Sequence, residues 1–316
     1  MSRHLVDPQL AAMLDLFAPL DMDLARIGET RAMFSSMNPP VEAYARPGVA
    51  IETRKIPGPA GAPDVPVILY RPNGAQGPLP VLLHIHGGGY LFGTAAGSGP
   101  SNVRTADELQ CLVASVDYRL APETRAPGAL EDCYAVLAWL NKEAQALGID
   151  PASIAVGGES AGGGLSAALA QLARDRGDYA LCFQLLIYPM LDDRTAAREL
   201  ENPHVGHFVW TPEYNALGWA CYTGQRPGAP DVPPYAVPAR AADLSGLPPA
   251  YITVGALDLF LEEDMAYAAR LMAAGVPVEL HVLPGTYHAF EMVMDADLAI
   301  RSEAERRRAL KAAFAK

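Results

Sequence analysis

Cysteine is scarce in this 316-residue sequence: Cys111, Cys133, Cys182 and Cys221 stand far apart, without CxxC spacing. That leaves neither a disulfide framework nor a cysteine-based zinc site, and it points to a reduced, cytoplasmic protein. Long apolar runs are missing too. No stretch approaches the roughly 20 residues of a membrane span, and the first twenty residues carry Asp7 and Asp15 and no cleavable signal pattern. Positive charge is short: 24 Lys and Arg face 36 Asp and Glu for a net charge of −12, and the longest basic run is Arg306-Arg307-Arg308. Such a surface repels phosphate backbones, which excludes nucleic acid as a partner. There is no internal repeat and no low-complexity tract. Apolar residues, by contrast, make up 50% of the chain and charged residues 19%, enough for one large core.

Leu10, Met13, Leu14 and Phe17 recur at helical spacing and predict an amphipathic helix. A second helix is expected over residues 22–34, ending at Asn38-Pro39-Pro40. The pattern then changes to short apolar runs at 65–70, 81–86, 111–116, 154–156, 183–188, 251–254 and 278–283. Helical stretches at 128–147, 162–174 and 262–274 separate the later runs. Strands alternating with helices predict an α/β fold with a mostly parallel sheet, because a parallel crossover needs an intervening helix.

Several of these strands end in reactive or glycine-rich residues. Residues 81–86 run into His86-Gly87-Gly88-Gly89, and 154–156 into Gly158-Glu159-Ser160-Ala161-Gly162. Asp258 follows 251–254, and His288 follows 278–283. Open α/β sheets bind ligands outside the carboxyl ends of their strands, where these residues would converge. The G-x-S-x-G pattern places Ser160 on a sharp strand-to-helix turn as a nucleophile. Ser160 needs a base, which His288 supplies from the turn after the last strand, and Asp258 would orient that base. Attack on an ester carbonyl creates an oxyanion, for which the amides of Gly87, Gly88 and Ala161 are the expected donors. Glu262, Glu263 and Asp264 read as the opening turn of a helix, Asp192 and Asp193 as weaker acids, and His281 as a sheet-facing residue. His204 and His207 lack the further ligands of a metal site, and no metal or cofactor is implied.

Taken together, His86-Gly87-Gly88-Gly89, Asp117-Tyr118-Arg119-Leu120-Ala121-Pro122-Glu123 and Gly158-Glu159-Ser160-Ala161-Gly162-Gly163 resemble the hormone-sensitive-lipase-like (bacterial family IV) esterases of the α/β-hydrolase superfamily. The resemblance spans residues 40–295. It implies a single domain over 1–316 with an eight-stranded, mostly parallel sheet, helices on both faces and a helical cap from about 1–45 and about 191–228. It also implies carboxylesterase activity on short- to medium-chain acyl esters without metal or cofactor, and allows a homodimer. Glu159 stands where Asp is more usual in the family, and Ala289 where Gly is. An Arg119–Glu123 pair is expected to brace the oxyanion loop, with Glu159 ordering nearby loops. Tyr90, Phe92, Phe208, Trp210, Tyr287 and Phe290 are the candidate pocket residues. An amidase, lactonase or deacetylase on the same triad, and a non-catalytic small-molecule receptor, are the alternative functions.

Overall fold

Strands that are apolar at every position have two faces to hide, and a parallel sheet covered by helices on both sides hides both. In the computed structural model, which describes residues 2–16, 22–37 and 40–315, eight strands form one such sheet. They are β1 (Val49–Ile56), β2 (Val65–Pro72), β3 (Leu79–Ile85), β4 (Leu112–Val116), β5 (Ile149–Glu159), β6 (Phe183–Ile187), β7 (Ala250–Gly255) and β8 (Val278–Leu283). Their spatial order is β1-β2-β4-β3-β5-β6-β7-β8. Every neighbouring pair from β4 onward is parallel, while β2 runs antiparallel to both β1 and β4. Seven of these strands coincide with the apolar runs. The eighth, β1, escapes that reading because it is an edge strand that exposes Glu52, Arg54 and Lys55 and buries only its ends, Val49 and Ile56.

The helices are α1 (Pro8–Ala11), α2 (Ile27–Met37), α3 (Gly99–Leu109), α4 (Gly128–Lys142), α5 (Ala144–Leu147), α6 (Ala161–Arg176), α7 (Pro212–Thr223), α8 (Leu261–Ala273) and α9 (Asp297–Phe314). Alternation along β3 divides the core between the two faces. Val81, Leu83 and Ile85 pack with residues of α4 and α6, such as Leu137 and Leu169. Leu82 packs with residues of α3 and α9, such as Val103 and Leu310. Leu165, Ala168, Leu169 and Leu172, the stripe expected on α6, are all buried. Gly177, in the left-handed region at φ 71°, ends this helix, with Arg174 and Arg176 in the last turn to complement its dipole.

The amino-terminal reading needs correction. Instead of one helix through Phe17, α1 stops at Ala11 and a 3₁₀ turn, Met13–Asp15, follows; Phe17 lies outside the described residues. Arg3 captures the Ala11 carbonyl at 3.1 Å and Asp15 at 2.7 Å, and so competes with continuation of the helix. The second stretch opens with a 3₁₀ turn, Leu24–Arg26, capped by Asp23, before α2. Its expected stop at Asn38-Pro39 also falls outside the described residues. The stretch expected as one helix over 128–147 divides at Glu143 into α4 and α5. The irregular 191–228 region contains α7, announced by Thr211 at the N-cap, Pro212 in the first turn and Gly224 at the C-terminus. Helices α3 and α9 were not foreseen. The inward face of α9 is Ala299, Ser302, Arg306, Ala309 and Leu310, too polar and small for an apolar periodicity to register.

Candidate functional site

Strand register builds the site. Ile85 pairs with Gly158, Glu159 with Ile187, and Ile187 with Thr253, so β3, β5, β6 and β7 end at one level. At that level the chain turns sharply at Ser160, whose φ 55° and ψ −119° lie outside the regions open to most residues. Such strain costs about 1–3 kcal/mol and is held here by three backbone bonds. The Ser160 amide donates to Ile187 O at 2.9 Å, while its carbonyl accepts from Met190 N at 2.9 Å and Gly164 N at 3.0 Å. The flanking glycines are steric requirements. A β-carbon on Gly158 would lie 2.1 Å from Ile85 O, and one on Gly162 would lie 2.0 Å from the same atom.

Ser160, His288 and Asp258 come from the ends of three strands and meet in a buried row. His288 Nδ1 lies 2.8 Å from Asp258 Oδ2, and its Nε2 lies 2.9 Å from Ser160 Oγ. A carboxylate can only accept, so Nδ1 carries the ring proton and Nε2 is left to accept from the serine hydroxyl. Asp258 is itself fixed by the Phe260 amide, 3.0 Å from Oδ1. The histidine loop is anchored from both sides, by Leu257 N to Thr286 O at 3.0 Å and Asp7 N to Gly285 O at 2.9 Å.

Beside the hydroxyl lies the 86–89 loop. The amides of Gly87, Gly88 and Ala161 donate to no protein acceptor among the described residues, nor does that of Gly89, which the sequence reading omitted. Gly88 has φ 121°, and a β-carbon there would meet Phe92 O at 2.4 Å, so the loop cannot take this path with a larger residue. His86 closes its base, with Nδ1 2.8 Å from Gly87 O and the ring stacked on Tyr118 at 4.2 Å. Burial lowers the His86 pKa, which favours a neutral ring.

The expected Arg119–Glu123 brace is not formed. Arg119 grips Asp132 on α4 through its Nε and Nη2, at 2.9 and 2.7 Å, while Glu123 pairs with Arg31 of α2 at 2.8 Å. The planar guanidinium finds a fully buried carboxylate in bidentate geometry, while the exposed Glu123 is held bidentately by Arg31 instead. The loop is braced by other members of the motif and by Arg31 of α2. Tyr118 Oη donates to His86 O at 3.0 Å, Ala121 N donates to Tyr90 O at 3.0 Å, and Arg31 donates to Leu91 O and Ala121 O at 2.8 and 2.6 Å. Asp132→Ala should destabilise the fold by about 2 kcal/mol in urea denaturation, because it removes a fully buried carboxylate from a partly exposed guanidinium that can regain water.

The comparisons with known proteins agree with this geometry. A family model described as alpha/beta hydrolase fold matches residues 82–292. The chain belongs to the α/β-hydrolase family. Within it, the resemblance to the hormone-sensitive-lipase-like esterases holds across the chain. It is 36% identical over 296 residues to "Carboxylesterase NlhH" of Mycobacterium tuberculosis, covering 92% of this chain and 90% of that one. It is 35% identical to "Carboxylic ester hydrolase LipN" of the same organism, covering 90% and 77%. Among solved structures, "Bacterial Heroin Esterase" superposes with a TM-score of 0.91 at 41% identity over 99% of both chains.

In this α/β-hydrolase, aromatic rings surround His288, but not all are the expected ones. Trp210 lies 6.3 Å from the His288 ring, and its indole occupies the space where a side chain at Gly89 would stand. Phe208 packs on Tyr287 at 6.0 Å, and Phe92 on Phe34 at 5.4 Å. Tyr90 is committed to an internal stack with Tyr222 at 4.0 Å, Tyr287 bonds Leu10 O at 3.1 Å, and Phe290 is fully buried. Tyr188 and Phe260, which the sequence reading passed over, sit closer to His288, at 4.7 and 5.2 Å. Each occupies the first turn after a strand, a position that could have singled it out. Glu159 accepts from His84 Nε2 at 3.1 Å. Partial burial raises its pKa, but His84 and Arg306 outweigh that and hold the carboxyl below its ordinary value.

The competing acids have other work. Glu263 accepts from Leu191 N at 2.7 Å and Asp192 N at 3.1 Å, and Asp193 holds Arg240 at 2.7 Å. Burial pushes the Glu263 pKa from 4.5 up to about 8. The folded state thus binds this proton more tightly than the unfolded chain, so its stability contribution is full below about pH 4.5 and lost as pH rises through about 8. Urea melts of Glu263→Gln should therefore lose less stability between pH 5 and 9 than wild type. His281 pairs with Glu279 at 2.7 Å on β8, and His204 bonds Ser2 Oγ at 2.8 Å, joining the chain start to the 191–228 segment. His207 lies 2.8 Å from Pro203 O. Among the described residues no three metal-ligating side chains are gathered, and no helix is long and apolar enough to cross a membrane.

Proposed function

We propose that this carboxylic ester hydrolase is a serine esterase that carries the acyl group of short- to medium-chain esters on Ser160. The observation that carries the reading is the single histidine ring spanning 2.9 Å to Ser160 and 2.8 Å to Asp258. Ser160 attacks the ester carbonyl as His288 removes its proton, and His288 then protonates the departing alcohol. Asp258 keeps the ring in the tautomer that can accept and balances the imidazolium that forms. The amides of Gly87, Gly88 and Ala161 receive the oxyanion, and the aligned dipoles of α6 add favourable potential at its first turn. Water repeats the sequence and releases the acid.

Segments 1–45 and 191–228 cap the crevice in this reading, with Trp210, 6.3 Å from the His288 ring, as a wall on the cap side. The Ser2–His204 bond and the position of Trp210 against Gly89 support that role. The test is labelling with a fluorophosphonate, peptide mapping of the adduct, and turnover of p-nitrophenyl esters from two to twelve carbons. Adduct at Ser160 with matching loss of activity is the expected result. A folded protein that is neither labelled nor active overturns the reading, and faster turnover of matched amides than of esters would reassign the substrate.

A further inference from the structure

The basic run Arg306-Arg307-Arg308 plays no direct part in the ester chemistry, and α9 sends its side chains in different directions. Arg308 is half-exposed beside Glu305 and Glu279, and Arg307 pairs with Glu108 and Glu303. Arg306 turns inward and is 8% exposed. It forms an ion pair with Glu291, and its guanidinium carbon lies 6.0 Å from the Tyr188 ring centre. With Glu159 and His84 it lines a cavity of about 30 Å³ behind the serine turn.

Three of these residues bear on the triad. Glu159 immediately precedes Ser160, Glu291 lies in the turn that follows His288, and Tyr188 packs edge-to-face with His288 at 4.7 Å. We propose that Arg306 is a positioning residue for the triad: one buried cation on α9 neutralises the carboxylates flanking the serine and the histidine, and so fixes the approach of the two loops. The inference rests on Ser160 and His288 being nucleophile and base. A buried carboxylate without a counter-charge recruits water or a proton, and its loop shifts to find either. Arginine suits the place because its flat cation stays charged when buried and is more weakly hydrated than an ammonium, so enclosing it costs less. The 2.9 Å Ser160–His288 contact joins loops from β5 and β8, and displacements well under its length are enough to slow such a reaction.

The experiment measures kcat and KM on a p-nitrophenyl ester, the melting temperature, and the rate of fluorophosphonate labelling at Ser160 in Arg306→Gln, Arg306→Lys and Glu291→Gln. In folded Arg306→Gln, kcat and labelling rate should both fall about tenfold or more while KM stays within about twofold. Arg306→Lys should recover part of that loss, and Glu291→Gln should show a smaller fall in the same two rates. Folded Arg306→Gln with wild-type kcat and labelling overturns the proposal, as does a change confined to KM. A lysine variant as slow as the glutamine variant overturns it too, since charge would then not be what matters. If Arg306→Gln does not fold, Glu291→Gln decides: wild-type rates overturn the proposal and a joint fall supports it. Absence of labelling at Ser160 in the unaltered protein is a separate outcome that removes the serine-esterase reading, and this inference with it.

Discussion

Ser160→Ala should lower kcat by ~10⁴-fold or more, with the urea midpoint close to wild type. The size follows from the chemistry, since among the described residues no other hydroxyl is hydrogen-bonded to His288 and the water that could replace it has no strained turn to aim it. Stability should change little because the turn is held by its backbone bonds to Ile187, Met190 and Gly164, none of which involves Oγ. Residual turnover above the uncatalysed rate is expected, because the Gly87, Gly88 and Ala161 amides remain in place to receive the oxyanion. Steady-state hydrolysis of a p-nitrophenyl ester, with thermal or urea unfolding on the same preparation, checks both halves. Activity within tenfold of wild type would remove Ser160 from the mechanism.

Asp258→Asn should cost nearly as much, ~10⁴-fold in kcat by analogy with other serine triads, because an amide can donate to Nδ1 and so stabilises the wrong tautomer of His288. The neighbouring acid provides the control. Asp264 is fully buried with neither carboxyl oxygen hydrogen-bonded, and burial, with the charges of Glu263 and Asp258, raises its pKa well above the ordinary range. A neutral acid cannot balance an imidazolium, so Asp264→Asn should leave kcat within about twofold of wild type. Equal losses in the two variants would mean that the orienting charge is shared between them. A selective loss at Asp264 would overturn the assignment of Asp258.

Much of this was legible because the fold repeats one local rule. Fully apolar strands announce themselves by composition, and the reactive residues follow them in the order a strand-end crevice requires. Thus Ser160, Asp258, His288, Gly87 and Gly88 could be named before any geometry was known. Where the local rule is broken, the reading faltered. Edge strand β1 is mostly exposed and carries three charged residues, α9 buries an arginine and a serine where a periodicity search looks for leucines, and α1 is cut short by Arg3.

Sequence by itself determined the alternation of strands and helices, and the three residues whose chemistry calls for one another. Those properties are set by neighbours in the chain: a run of Val and Ile excludes water wherever it lies, and glycines around a serine permit a turn that other residues forbid. The tertiary structure alone decided the partners of charged and aromatic side chains. Asp132 rather than Glu123 holds Arg119, Glu291 pairs with Arg306, and Tyr188 and Phe260 enclose His288. Such pairings depend on distances across the sheet, and a long polar side chain can reach several carboxylates. Which one it takes is set by burial and geometry that exist only after the strands have docked.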